Sequence, residues 1–419
     1  MNIVVFEDGL HDNFYPLSLT RPVWELRSGL YTQKERLELL LRISSIRPDG
    51  GIHFFTREYL APAYREKYPQ SRINDYSVFD RGGDTLFINA AKYPAAGDFT
   101  LDRNCAVVRG PVPVCARLDA AGLAAPGDSI AGKILERVVS TREQNEAAEG
   151  GAFSACAEFI WDLVSWNRDI IRSDYKISGG RGGGEKDVTI LGDPGLVSIS
   201  EGATIDPMVV IDATGGPVVI ASGARINSFS RIEGPAVIGR DCLILGAKIR
   251  AGVSLGDVCR IGGEVEDSIF QGYDNKYHDG FIGHSYIGEW VNMGALTTNS
   301  DLKNNYTAVK VYTPNSRKKT GQKKIGCFMG DFVKTSIGTL ISTGASIGTG
   351  AMLVHAGQLT PYHIPPFRWY LNSEVGPPQN PDEFIDTCRQ AMSRRNIDIS
   401  ENFITLINTV YRETAADKK

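Results

Sequence analysis

Aliphatic residues recur every six positions through the C-terminal half of the chain. Ile220, Ile226, Ile232, Ile238 and Ile244 form one run, and Ile199, Ile205 and Ile211 keep the same step ahead of an insertion. Glycine and a small residue stand just before the aliphatic position in Gly202-Ala203-Thr204-Ile205, Gly223-Ala224-Arg225-Ile226 and Gly344-Ala345-Ser346-Ile347. A period of six suits neither a helix, which repeats about every 3.6 residues, nor a half-buried strand, which repeats about every 2. It predicts a parallel β-helix built from hexapeptides, each aliphatic pointing inward and small residues turning the corners. Coils stack and share their burial, so a short array would not be stable alone. The beat runs over residues 188–354, with insertions expected near Gln271–Gly280 and Asn299–Lys324.

The N-terminal part has a different pattern. Short apolar runs at Ile3–Phe6, Ile52–Phe55, Thr85–Ile88 and Ala106–Val108 alternate with helical stripes at Tyr31–Ile43 and Phe159–Ser173, which predicts an α/β domain. The segment Ser178–Lys186 is too glycine-rich to pack and reads as a linker. Beyond Ile364-Pro365-Pro366 the chain is expected to turn helical. Asn380-Pro381-Asp382-Glu383 carries a capping asparagine, a proline at the first helical position and an early carboxylate. Ser400 opens a second helix with Phe403, Ile407, Val410 and Tyr411 on one face, and both helices are expected to pack on the β-helix or on a neighbouring subunit. The expected organisation is therefore an α/β domain at 1–180, a linker at 181–187, a β-helix at 188–360 and a helical extension at 361–419.

Composition narrows the picture. At 419 residues, 42% hydrophobic and 22% charged, the chain has the make-up of an ordinary globular protein of two or three domains. A net charge of -4 gives no reason to expect nucleic acid or an anionic membrane as partner. The seven cysteines are scattered, odd in number and free of any Cys-x-x-Cys pair, which argues against a disulfide framework or structural zinc and for a reducing, cytoplasmic setting. Met1–Phe6 runs into Glu7-Asp8 and reads as a first strand rather than a signal peptide, and no apolar run reaches transmembrane length.

The chemically loaded stretch is Gly272-Tyr-Asp-Asn-Lys276-Tyr-His278-Asp279, followed by His284, Ile287-Gly288 and Val291-Asn292-Met293-Gly294-Ala295. It resembles the acetyltransferase half of the bifunctional UDP-N-acetylglucosamine pyrophosphorylase/glucosamine-1-phosphate N-acetyltransferase family, a left-handed β-helix trimer. The resemblance implies acetyl transfer from acetyl-CoA to an aminosugar-1-phosphate. His278 would be the base, since removing a proton from an amine at neutral pH suits a histidine. Asp279 would orient it. A backbone N–H at Gly294 or Ala295 would receive the tetrahedral oxyanion, Arg250 the sugar phosphate, and Asn292 a sugar hydroxyl or amine. Lys276 stands two residues before the histidine, near the family's lysine. Two positions depart from the pattern: Ser268 replaces a second lysine and Phe281 a tyrosine, which leaves the acceptor open. His284 reads as structural. The cations of the loop Asn299–Lys324 read equally as a clamp for the phosphates of coenzyme A or as a solvated surface.

The same family places a Rossmann-like nucleotidyltransferase domain before the β-helix. Tyr15-Pro16-Leu17-Ser18-Leu19-Thr20-Arg21-Pro22 resembles the segment that follows its phosphate loop. The loop itself is replaced by Glu7-Asp8-Gly9-Leu10-His11-Asp12, the lysine after the proline reads Val23, and Asn89 stands where a magnesium-binding aspartate is expected. Leu19–Gly29 with Trp161–Val164 looks like a divergent bacterial branch of the family, in which Arg21 and Arg27 would bind phosphate and Glu7, Asp8 or Asp12 would hold Mg2+. What this implies is a cytoplasmic homotrimer making an activated aminosugar of the cell-wall precursor kind, using acetyl-CoA and UTP or dTTP. Two other readings stand beside it: a nucleotidyltransferase whose β-helix only oligomerises, and a non-catalytic scaffold or regulatory subunit.

Overall fold

The apolar runs of the N-terminal part form the middle of a seven-stranded sheet, in the order Ser140–Glu143, Cys105–Arg109, Val112–Asp119, Asp84–Asn89, Asn2–Phe6, Ile52–Phe55, Arg72–Ile73. Asn2–Phe6 lies parallel to both Ile52–Phe55 and Asp84–Asn89, and Val112–Asp119 is antiparallel to its two neighbours. Val4, Phe6, Phe55, Phe79 and Phe87 fill one side of the sheet. The helix Gln33–Ile43 begins two residues later than its apolar stripe because Thr32 caps it: the Thr32 hydroxyl accepts from Glu35 N–H, and the Glu35 carboxylate accepts from Thr32 N–H. Its predicted face, Leu37, Leu40 and Leu41, is buried.

The structure, a computed structural model, describes residues 1–48, 51–94, 99–143, 154–180, 188–314, 316–354 and 357–415; the glycine-rich linker expected at 181–187 lies outside them. The chain divides into two units. The first comprises Met1–His11, Arg21–Leu26 and Tyr31–Glu158, and the second Asp12–Thr20, Arg27–Leu30 and Phe159–Lys419. Among the described residues no helix is long and apolar enough to cross a membrane.

In the second unit the six-residue beat becomes columns of parallel strands, and this is a parallel β-helix. One column stacks Ile220, Ile238, Leu255, Phe270, Ile287, Met329, Ile347 and Ile364 in register, every one of them fully buried. Register also measures each coil. Val218 pairs with Ala236, 18 positions on, while Ser254 pairs with Ile269, only 15 on, and Tyr286 with Phe328, 42 on. The long step confirms the expected insertion at Asn299–Lys324, which holds the hairpin Lys310–Thr313/Ser316–Lys319. The insertion expected near Gln271–Gly280 is absent: Arg260 pairs with Asn275, so that coil is short.

Strands continue past the Ile364 boundary through Arg368–Leu371, which Glu374–Pro378 closes in antiparallel fashion. The helices then start where their caps predict. Asn380 accepts from the N–H of Asp382 and Glu383 ahead of Pro381–Ser393, and Ser400 caps Glu401–Thr414. Both pack on the β-helix, Phe384 against Phe332 and Phe367, and Tyr411 against Phe367.

Candidate functional site

The break in the beat is a lysine in an aliphatic slot. Lys276 is the register partner of Ile261 and is 2% exposed. Its ammonium spans the coils, donating to the carbonyl of Gly262 at 2.7 Å and of His278 at 3.0 Å. Burial pushes it down to about 8, against a smaller upward pull from Asp279. Even a neutral amine keeps two N–H groups, enough for both carbonyls. The folded chain therefore gives up this proton near pH 8, whereas the unfolded chain holds it to the ordinary 10.5, so Lys276 makes folding more favourable as pH rises through that window. Lys276→Met is expected to lack this rise, so the difference between wild-type and variant denaturation midpoints should shift in favour of the wild type as pH goes from about 8 to 10.5.

Lys276 thereby anchors the corner that carries the candidate base. Tyr277, His278 and Asp279 are all exposed, and the imidazole meets the Tyr277 ring edge-on at 5.2 Å. The next coil stacks on this corner through Leu296 N–H, which donates to Asp279 C=O at 2.8 Å. The Gly294 N–H is taken up by the carbonyl and hydroxyl of Thr335, each at 3.1 Å, so it is not an oxyanion donor. Ala295 is different: its carbonyl accepts from Gly338, but its N–H makes no hydrogen bond among the described residues. The corner thus pairs an exposed imidazole with an unengaged amide on the adjoining coil.

Other candidate residues are not gathered there. Asn292 is on an adjoining coil, its Oδ1 accepting from Asn275 Nδ2 at 2.8 Å, and it faces a cavity beside the helix Pro381–Ser393. Arg250 follows a strand of another column, and its guanidinium donates to Glu233 at 3.1 Å and Glu264 at 3.2 Å. A phosphate there would have to displace both carboxylates. Ser268 is buried and satisfied, donating to Glu266 C=O and accepting from Ser285 N–H. His284 lies between Asp267 (3.4 Å) and Asp301 (2.8 Å), and Asp267 also binds Arg168 in two-point fashion, a cross-coil cluster that suits a structural role. In the inserted loop Lys310, Lys318, Lys319, Lys323 and Lys324 are exposed, while Arg317 lies over the Tyr362 ring at 4.5 Å.

In the first unit, Glu7 is spent on structure: it accepts from Val23 N–H at 2.7 Å and binds Arg57 and the Thr56 hydroxyl. Burial pushes its carboxyl up, but Arg57 and these hydrogen bonds outweigh burial and hold it below the usual range. Asp8 accepts from Leu10 N–H at 2.8 Å and from Asn89 Nδ2 at 2.7 Å, at the ends of adjacent strands. Among the described residues no group of three or more His, Cys, Asp or Glu side chains is placed to hold a metal. Arg21 is buried, and its carbonyl accepts from Arg57 at 2.8 Å. Asp12 and Arg27 group with the second unit instead. There the Arg27 guanidinium donates to Leu30 C=O, and its backbone exchanges hydrogen bonds with the Tyr286 hydroxyl. In the same unit Tyr15 OH meets His363 Nε2 at 3.0 Å, and Thr20 OH donates to Asp331 at 2.5 Å. The loop-like segment 12–20 is thus fixed by β-helix residues.

Two cations missed in the sequence are Lys334 and Arg395, which line the cavity at Asn292. Lys334 is the register partner of Asn292 but lies 42 positions on, across the insertion, and no local spacing marks it.

Residues 3–181 match the family described as sugar nucleotidyl transferase. The bifunctional protein GlmU of Bordetella parapertussis is 28% identical over 174 residues, 40% of this chain and 34% of that one. The bifunctional sugar-1-phosphate nucleotidylyltransferase/acetyltransferase of Sulfurisphaera tokodaii is 34% identical over 149 residues, 33% of this chain and 35% of that one. The chain thus spans about a third of the length of these curated relatives. Among solved structures, the UDP-N-acetylglucosamine acyltransferase of Francisella novicida is 15% identical at a TM-score of 0.34, over 55% of this chain and 86% of that one. The chain is a divergent relative of the bifunctional proteins, with a nucleotidyltransferase-type domain at its N-terminal end.

Proposed function

We propose that the β-helix transfers an acetyl group from acetyl-CoA to the amine of an aminosugar-1-phosphate, with His278 as the base. The observation that carries this reading is the corner at which the exposed His278 stacks beside the unengaged Ala295 N–H. His278 takes a proton from the amine as it attacks the thioester carbonyl. The Ala295 N–H stabilises the oxyanion, which collapses to the amide and releases the coenzyme A thiol. Lys276 positions the base through its backbone carbonyl. The Nδ2 of Asn292 contacts the acceptor, and Arg250 binds its phosphate once its glutamates yield.

The working form is a homotrimer in the cytoplasm, with the corner near a subunit seam. Exposed apolar residues support this: Met208 and Phe229 follow register partners Ile205 and Ile226 by three positions, and Leu296 and Ile337 follow the same column further up. His278 lies on that ridge. Sedimentation equilibrium is expected to give three copies, and Phe229→Glu to give fewer.

The match over residues 3–181 supports a second activity, nucleotidyl transfer from UTP or dTTP to a sugar-1-phosphate. Asp8 would hold the Mg2+, whose chemistry is to neutralise triphosphate charge; Arg21 and Arg27 would take phosphate, Arg27 only after its guanidinium leaves Leu30 C=O. Thiol release from acetyl-CoA across a panel of aminosugar-1-phosphates tests the first activity, and pyrophosphate release tests the second. Silence of thiol release across the panel would overturn the acetyl-transfer reading.

A further inference from the structure

The cavity beside the helix Pro381–Ser393, of about 270 Å³, has an unusual charge balance. A column of register partners, Asn275, Asn292 and Lys334, runs up one wall across successive coils, with Arg260 next in the same column outside the lining. Arg394 and Arg395, at the end of the helix, form the opposite wall. Among the described residues no carboxylate lines the space. Among the described residues none of Arg260, Lys334, Arg394 or Arg395 has an acidic partner within ion-pair distance; the Lys334 ammonium makes no hydrogen bond, its backbone N–H donating to Ala351 C=O, and Arg395 Nη1 donates to Arg394 C=O at 3.3 Å. The Nε of Arg395 is buried without a partner. The floor is apolar and rigid: the Tyr273 and Trp290 rings stack at 4.4 Å and 15°.

Like charges crowded without counter-ions oppose one another, and here the crowding is felt. Burial lowers Lys334, with Arg394 adding to the effect and Cys388 opposing it; burial likewise lowers Arg395, with Arg260 and Arg394 adding. The negative end of the helix dipole offsets part of the charge of Arg394 and Arg395, but not that of the β-helix wall. Elsewhere on the same β-helix, three arginines are neutralised, Arg231 by Asp212 and Glu233, Arg240 by Asp257 and Arg250 by Glu233 and Glu264, while the exposed Arg225 has no acidic partner among the described residues. The cavity departs from that habit.

We infer that this cavity is a binding site for a phosphate monoester dianion, held by Lys334 and Arg395, with the Asn292 amide donating to it and its organic group lying on the Tyr273–Trp290 stack. Paired cations and a bidentate guanidinium are the groups that recognise such a dianion. The cavity lies at the small end of ligand sites, roughly 300 Å³ and upward, which suits a compact ester rather than a dinucleotide. Asn292 is shared with the acetyl-transfer reading, but the inference stands on binding alone.

Isothermal titration of the full chain with inorganic phosphate, glucose-1-phosphate and AMP tests it. At least one of the three is expected to bind at micromolar to millimolar concentration, more weakly as salt rises. Equal affinity for all three assigns the site to the free anion, and a preference for an ester assigns it to that ester. Lys334→Met and Arg395→Gln should each weaken binding at least tenfold with melting temperatures retained. The exposed Arg394→Gln, a milder change, should weaken it less. His278→Ala, which should sharply slow transfer, should leave binding intact. No binding by the wild type, or equal binding by Lys334→Met and Arg395→Gln, would overturn the inference. So would loss of binding in His278→Ala alone.

Discussion

Alanine at position 278 is expected to lower kcat/KM for acetyl transfer by about 10²- to 10⁴-fold, the range of a positioned general base, while the melting temperature barely moves. The two halves of this expectation have separate grounds. The imidazole is exposed and its only ring neighbour among the described residues is Tyr277, so truncation costs no more than about 0.5 kcal/mol. The Lys276 clamp binds the backbone carbonyl of residue 278, which any side chain leaves in place. A kinetic collapse with an unchanged fold is therefore the signature of chemistry lost rather than structure. Lys276→Met should differ in kind: it frees the carbonyls of Gly262 and His278 and should lower stability and transfer together. The assay is thiol release from acetyl-CoA with the best acceptor of the panel, alongside thermal unfolding. Wild-type turnover by His278→Ala would end its assignment as base.

The β-helix was legible because its signal repeats. Ile220, Ile238 and Leu255 point inward at one corner in successive coils, and a fixed step makes each reinforce the others. What a periodic pattern cannot distinguish is a coil three residues short from one three residues long, since both shift a six-residue phase equally. The 15-residue coil from Ser254 to Ile269 therefore resembled an insertion, while the 21-residue step from Ile199 to Ile220 is a genuine one. Lys276 deepened the ambiguity by standing where the beat requires an aliphatic, and only register with Ile261 shows that it occupies the slot. Helix starts were legible for the opposite reason, because the caps of Thr32, Asn380 and Ser400 act within three residues. Pairings across coils were not. The glutamates that occupy Arg250 lie 17 and 14 positions away, and nothing local ties Tyr15 to His363. Site residues read from a linear motif thus came without their neutralising partners, which is why Arg250 looked freer than it is and Lys334 went unnoticed.

The short coil also holds a position where a single methyl group would be damaging. Gly256→Ala is expected to destabilise the second unit by about 3 kcal/mol or more, at or beyond the upper end of ordinary overpacking. A Cβ at Gly256 would lie 2.0 Å from the carbonyl oxygen of Gln271, 2.6 Å from its carbon and 3.1 Å from Gly272 Cα. All three are backbone atoms of the adjoining coil, so no rotamer change relieves the clash. Retreat is blocked as well, because Gly256 N–H is bonded to Phe270 C=O at 2.8 Å and its carbonyl accepts from Cys242. In the 15-residue coil there is no spare residue to bulge, so the displacement passes along Gln271–Asp274 to the Asn275–His278 corner. Transfer activity should therefore fall together with stability, unlike in His278→Ala, where the two separate. Gly376→Ala is the control, since a Cβ there would meet only Trp369 atoms at 3.6 and 3.8 Å. It should stay within about 0.5 kcal/mol in chemical denaturation. An equally small change in Gly256→Ala would mean that the 15-residue register is wrong, and with it the placement of Lys276 in the aliphatic column.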